Sequence, residues 1–358
     1  MHTVTGDSDH IIGETANRIF ADLADPQTVN RAKDDGWRTK LWAALTEAGL
    51  PLAWVPDMLG GSGASLADGF EILRVAGRFA VPVPLIETLL AGWLLAQAHI
   101  EAPAAALTVA PARPNERIRI DAAGRLNGRA LAVPLAAQCS AIAVLAEHAD
   151  GLIVALADIA DCKLGDGRNL AGEPANSVTF DNVTPRALAP APADFDHTAL
   201  LLMGATARAN EIAGALAAVL PLTVAYANER VAFERPIGKF QAVQQNLARL
   251  AGEAAAALAV ATSAADTIAQ GDAAREAIFL EAASAKIRCA EAATEGSAIA
   301  HQVFGAIGFT SEHVLHRFTL RMRAWRDDFG NESYWAAELG RAVAQRGADA
   351  FWPLIASR

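Results

Sequence analysis

The sequence predicts a mainly α-helical fold with a small β domain set between two helical regions. Three observations carry this expectation. Residues 1–103 and 193–358 place apolar side chains at the 3–4 spacing of one buried helix face. Residues 104–192 instead hold short β-branched runs separated by Gly, Asn, Asp and Pro. The long helical stretches after residue 196 are joined by short connections, which is how an antiparallel four-helix bundle reads. With 358 residues the chain suits two or three closely packed domains, here 1–103, 104–192 and 193–358.

In the first region Leu41, Trp42, Leu45 and Leu50 describe an amphipathic helix ending at Gly49. Ser65 caps a second helix over 65–79, with Phe70, Leu73 and Val75 on its apolar side. Between them PLAWVPDMLGGSGAS (51–65) is a loop. VPVPLIE (81–87) is a turn that starts the next helix, since proline is tolerated in a first helical turn. In the middle region LTVA (107–110), RIRID (117–121), GRLNGRALAVP (124–134), AIAVLA (141–146), GLIVALA (151–157) and NSVTF (176–180) are strands of a small antiparallel barrel or sandwich. In the last region 197–230 is free of proline except for Pro221. Residues 241–270 bury Val243, Leu247, Leu250, Ala254 and Leu258, and 273–304 is alanine-rich, which lets helices approach closely.

Composition narrows the function. A net charge of −10 argues against nucleic acid as a partner. Three scattered cysteines without ligand spacing read as reduced thiols of a cytoplasmic protein. The eight histidines form no HxxxH or HExxH pair, so no metal site is expected. No uninterrupted apolar run reaches the ~18–20 residues of a membrane span. The opening MHTVTGDSDH has neither the basic region nor the apolar core of a secretory signal.

Two stretches interrupt the helical pattern. RVAFERPIGKFQAVQQNLARL (230–250) puts Arg230 at the end of one helix and Gln241 at the start of the next. An arginine fork can bind two oxygens of a pyrophosphate, and a helix N-terminus adds free N–H groups. Phe233 and Phe240 would wall an aromatic ring system. The same residues also suit a plain helix–helix turn with a surface arginine and two core phenylalanines. In HQVFGAIGFTSEHVLHR (301–317), Gly305 and Gly308 break the helix after Gln302, where glycine lets a backbone approach a ligand. An ordinary helix stop with Phe304 and Phe309 in the core fits equally.

Together these stretches resemble the acyl-CoA dehydrogenase family. RVAFERPIGKFQAVQQNLA is similar to its R-x-x-F-G-x-P-I-x-x-F-Q-x-x-Q segment, and QVFGAIGFTSEHVLHR to its Q-x-x-G-G-x-G-[FY]-x-x-E segment. LWAALTEAGLPLAWVPDMLGGSGASLADG (41–69) is similar to its N-terminal E-x-G-L…P-x-x-x-G-G-x-G segment. The resemblance covers most of the chain, in the family's order. It implies an acyl-CoA dehydrogenase-like fold of N-terminal helical domain, middle β-barrel and C-terminal four-helix bundle. It implies FAD lying between β domain and bundle, with its ADP half reaching a neighbouring subunit. By the motif match Arg230, Phe233, Phe240, Gln241, Gln302 and Gly305 would hold that half. The implied chemistry is α,β-desaturation of an acyl-CoA thioester. A carboxylate base takes the α-proton, and electrons leave to an electron-transfer flavoprotein. The implied assembly is a homodimer, a homotetramer or an α2β2 heteromer.

The resemblance also has gaps. The family's usual base position falls on Gly330 or Phe329, and its alternative on Gly204. Asp328 is the candidate substitute, with an ion pair to Arg323 or Arg326 as its competing role. Glu211 reads as a surface or interface charge. LTVAPARPNERIRI stands where the family has its flavin-contacting T-E-P-x-x-G-S-D loop, and Glu234 replaces a glycine. WRDDFG (325–330) resembles the W-R-D-E-F-G loop of short α2β2 members active in steroid degradation. Two readings follow: a dehydrogenase subunit with an atypical base such as Asp328, or a degenerate partner that supports FAD binding in a homologous subunit.

Overall fold

Helix α4 (Leu66–Phe79) begins where the sequence places its cap. Ser65 Oγ accepts from the Asp68 N–H, and the Asp68 carboxylate accepts from the Ser65 N–H, a reciprocal capping box. The computed structural model describes residues 11–356, so the opening MHTVTGDSDH lies outside the described residues. Before α4 come α1 (Ile11–Leu23), α2 (Pro26–Arg31) and α3 (Gly36–Glu47), and after it α5 (Leu85–Gln97), started by Pro84. Gly49 sits at φ 70°, the left-handed conformation that closes the α3 turn.

Eight strands follow: β1 (Leu107–Ala110), β2 (Ile118–Ile120), β3 (Leu126–Pro134), β4 (Ala141–His148), β5 (Gly151–Asp158), β6 (Lys163–Gly165), β7 (Ala175–Val183) and β8 (Ala187–Pro190). They form one sheet in the order β6-β7-β3-β2-β4-β5-β8, with β1 beside β4. The sequence expectation of antiparallel pairing needs one correction: β1 and β2 both run parallel to β4. The chain between β1 and β4 contains the β2–β3 hairpin and so is long enough for a crossover. Strand β4 explains why AIAVLA shows no polar alternation. Ile142, Val144 and Ala146 face the sheet's own core, while Ala141, Ala143 and Leu145 face the helical core that includes α5. A strand buried on both faces is apolar throughout.

The carboxy-terminal region contains α6 (His197–Glu229), a short hairpin β9 (Val231–Ala232) and β10 (Arg235–Pro236), α7 (Gln241–Ala269), α8 (Arg275–Phe304), α9 (Leu315–Asp327), α10 (Glu332–Arg346) and α11 (Ala348–Ala356). Helix α6 starts at Asp196, whose carboxylate accepts from the N–H groups of Thr198 and Ala199. Windows of α6 and α7 have the length and hydropathy to cross a membrane although polar residues interrupt both, and the α7 window is 28% buried. In α6 that window is 56% buried within the fold, as befits the central helix of a bundle. The α4–α6 crossing is set by glycine. A Cβ on Gly77 would run into the Glu211 carbonyl, and one on Gly214 into that of Arg74. This close approach brings the polar residues of mid-α6 under α4 and α5.

Candidate functional site

The corner between α6 and α7 is a tight hairpin. Its two central residues, Phe233 and Glu234, adopt φ 51° and 64°, the two-residue turn that matches strand twist. The family's preference for glycine after the phenylalanine therefore has a backbone reason, and this chain places Glu234 at that positive φ. The Ile237 N–H donates to the Arg230 carbonyl at 2.8 Å and fixes the corner to the end of α6. The Arg235 guanidinium lies 4.2 Å from the Phe240 ring centroid, a cation–π contact.

The structure brings three of the expected residues together. Phe233, Phe240 and Gln302 line one cleft of about 300 Å³, with Ile237, Val243 and Val303. Arg230, Gln241 and Gly305 do not line that cleft. They sit beside it, at the end of α6, at the start of α7 and directly after α8. The reading of two core phenylalanines fails here, because Phe233 is 90% exposed and Phe240 only half-buried. Phe309, likewise a candidate for the core, is 69% exposed and stacks on His301 at 4.0 Å. Gly305 has φ 65° and ψ −147°, a region essentially reserved for glycine, with no atom within 4 Å of where a Cβ would stand.

The second part of the site is the loop between α9 and α10. Phe329 is fully buried at φ 55°. Its N–H donates to the Ala112 carbonyl at 3.0 Å, and its carbonyl accepts from Trp335 Nε1 at 3.0 Å. Its ring packs on Gly204 so closely that a Cβ there would overlap it. The two positions to which the family match assigns a base thus face each other, and an apolar ring fills the space between them.

Asp328, the candidate base, points the other way. Its carboxylate accepts from Arg208 Nε at 3.0 Å and lies 2.9 Å from Nη2. The ion pair expected to Arg323 or Arg326 is not the one formed, and Arg326 pairs with Glu332 instead. Arg208 also holds Glu211 and Glu87, each at 2.6 Å. Glu211 is therefore a buried partner of Arg208 and not a surface charge. Lys286, fully buried on α8, donates to the carbonyls of Trp325 and Asp328 at 2.6 and 2.7 Å. Its ammonium thereby caps the carboxy-terminal turn of α9.

This cluster holds two cations against three carboxylates, all buried except Asp328, which is 19% exposed. Burial pushes Glu211 up to about 7, opposed by Arg208 and assisted by Glu87. Burial also raises Glu87 against the pull of Arg208, and lowers Lys286 to about 8 despite the Asp328 carboxylate. For the acids the charge count points the same way as burial, since one retained proton leaves two cations against two carboxylates, whereas Lys286 is lowered by burial and then by the Arg208 charge. Sequence reasoning missed Arg208, Glu87 and Lys286. The available signal was charge inside an otherwise apolar helical run, as Arg208 and Glu211 in TALLLMGATARANEIAG.

A third feature is an open polar cleft of about 430 Å³ between the β1–β2 connection and the α9–α10 loop, lined by Arg113, Asn115, Asp327, Asn331 and Tyr334 among others. Arg113 and Asn115 belong to LTVAPARPNERIRI, the stretch that the sequence resemblance sets against the family's flavin-contacting loop.

A helical domain, a mixed sheet and a long-helix bundle with this corner are the parts of a flavoprotein dehydrogenase fold. Residues 197–343 match the family model for the acyl-CoA dehydrogenase C-terminal domain. The chain is 31% identical over 328 residues to the acyl-CoA dehydrogenase IpdE2 of Mycobacterium tuberculosis, covering 87% of this chain and 89% of that one. Among solved structures it is similar to the ChsE4-ChsE5 complex of Mycobacterium tuberculosis, with TM-score 0.85 and 23% identity over 97% of this chain and 100% of that one. It is also similar to a variant of the Tcur3481-Tcur3483 steroid ACAD, with TM-score 0.82 and 27% identity over 96% and 99%. The chain belongs to the acyl-CoA dehydrogenase family.

Proposed function

We propose that this chain is one subunit of a heteromeric, FAD-dependent acyl-CoA dehydrogenase, a cytoplasmic enzyme. In this reading it supports the cofactor while a homologous subunit supplies the base. One observation carries it: Phe329 fills the space over Gly204 where the base would stand. The four-residue network around Arg208 engages Asp328 and fills the next turn of the same helix. An apolar acyl chain entering there would have to break buried ion pairs, at a cost of several kcal/mol each.

The corner fits the ADP half of FAD. An almost fully exposed Phe233 ring, an exposed Arg230 and a glycine-only backbone at Gly305 form a surface that a nucleotide would complete. Arg230 would grip pyrophosphate oxygens bidentately. Gln241 would present the first N–H groups of α7 to the same charge. Phe233 and Phe240 would face the adenine, and Gln302 would bond its polar edge. Bound FAD would supply the acceptor for the substrate β-hydrogen and pass electrons on to an electron-transfer flavoprotein. The partner's thioester substrate would lose its α-proton to the partner's carboxylate. Relatedness to a steroid ACAD suggests a bulky acyl-CoA for that partner.

The test is a visible spectrum. Expected is a colourless chain when it is purified alone, and a yellow complex when it is co-expressed with a homologous subunit. That complex should lose FAD on Arg230→Met. A yellow chain that bleaches with acyl-CoA by itself, and stops bleaching as Asp328→Asn, would establish the other reading, with Asp328 as base.

A further inference from the structure

At the end of the bundle away from the corner, the first turns of α6 and α8 meet the last turns of α7 and α10 around a cavity of about 530 Å³. That is the size of a small-molecule site. Its wall is apolar, built from Trp93, Phe195, Leu202, Met203, Ile278 and Phe279. Trp93 and Phe195 hold their rings 5.6 Å apart and are only half-buried, so aromatic surface faces the cavity. Both arginines at the mouth are already matched, Arg275 by Asp196 and Arg346 by Glu276, and the remaining charge there, Asp194, is exposed to solvent. An anionic ligand group would have to displace a carboxylate from one of these arginines, and a cation would find only the solvated Asp194 carboxylate, whereas an uncharged body displaces only water.

We propose that this cavity binds the uncharged hydrocarbon body of a small molecule, at a site separate from the nucleotide corner. Along α6, Met203 and Arg230 are about 40 Å apart at ~1.5 Å per residue. The inference therefore does not rest on the flavin reading. The cavity does touch the base position. Met203 precedes Gly204, and the Phe279 ring lies 6.3 Å from Trp335, whose indole N–H holds the Phe329 carbonyl. An occupant packs against Met203 and Phe279, and through Phe279 and Trp335 it stiffens the loop that carries Phe329. The hydrocarbon body can come from a fused-ring compound or from a linear chain, and the chemistry of recognition is the same for both.

The experiment titrates the full chain with androst-4-ene-3,17-dione and, separately, with 1-dodecanol, followed by calorimetry and tryptophan fluorescence. Expected is saturable one-to-one binding of at least one probe with a change in emission, and the tighter probe identifies the source. Ala199→Phe and Ala342→Phe, which place a ring into the cavity from its wall, should each weaken binding at least tenfold while melting as wild type or higher. Trp93→Phe should keep the calorimetric signal and lose most of the fluorescence change. The proposal is overturned if neither probe binds, if both filled variants bind as wild type, or if free coenzyme A displaces the probe and so assigns the cavity to thioester binding. FAD content of the co-expressed complex is read separately at visible wavelengths. A failure here leaves the corner reading standing, and a failure there leaves this one standing.

Discussion

Replacing Arg208 by methionine tests whether the cluster under α5 holds the fold together. The guanidinium is 4% exposed and meets three carboxylates, Glu87 and Glu211 at 2.6 Å and Asp328 at 2.9 Å. Methionine fills similar volume but leaves buried acids with Lys286 as the sole cation of the cluster. Removing one partner of a buried ion pair costs about 3–5 kcal/mol. An unfolding entropy of ~2.1 cal/mol/K per residue over 358 residues gives roughly 0.75 kcal/mol/K. The expected fall in Tm is thus about 4–7 °C at pH 7.5 by calorimetry. The sign with pH is also fixed. Acidification protonates the orphaned carboxylates, so the gap between variant and wild type should narrow from pH 8 towards pH 5. A variant within 1 °C of wild type at pH 7.5, or a gap that widens on acidification, would refute the reasoning.

Glu211, raised to about 7 from an ordinary 4.5, binds more proton in the folded than in the unfolded chain between those values. Its contribution is complete below 4.5 and is lost as pH rises through 7, so the wild-type Tm should fall over that window, and Glu211→Gln should flatten the profile. Lys286, lowered to about 8 from 10.5, acts oppositely: stability should recover as pH rises from 8 towards 10.5, and Lys286→Met should abolish that recovery. Gly305→Ala meets no neighbouring atom, so its cost is backbone strain of about 1–3 kcal/mol, expected as a lower Tm and as faster FAD loss from the co-expressed complex. Gly77→Ala forces α4 off α6 at the Glu211 carbonyl, and should lower the urea midpoint and loosen the Arg208 cluster.

How much of this was legible beforehand differs from element to element. The Ser65 cap, the turn at Pro84 and six of the strands are local matters. Hydrogen-bonding side chains, fixed φ values and β-branched runs act within a few residues, and they appear in the structure where the sequence places them. Strands β6 and β8 were not legible, since three- and four-residue segments such as KLG and ALAP carry no period. The family was legible because its motifs sit at corners where backbone conformation restricts residue choice, as at Gly305 and the Phe233–Glu234 turn.

The sequence by itself determined the order of helical, β and bundle regions, and the polar corner at Arg230 and Gln241. Tertiary structure alone decided which side chains Phe329, Asp328 and Glu211 meet. The partners of Asp328 lie 120 and 42 residues away in the chain, at Arg208 and Lys286. Phe329 meets Gly204 only because α9 folds back along α6. Such contacts depend on which faces of distant helices the packing turns together, and no local spacing encodes that. A charge in an apolar helix announces that a partner exists, but burial and geometry choose which one.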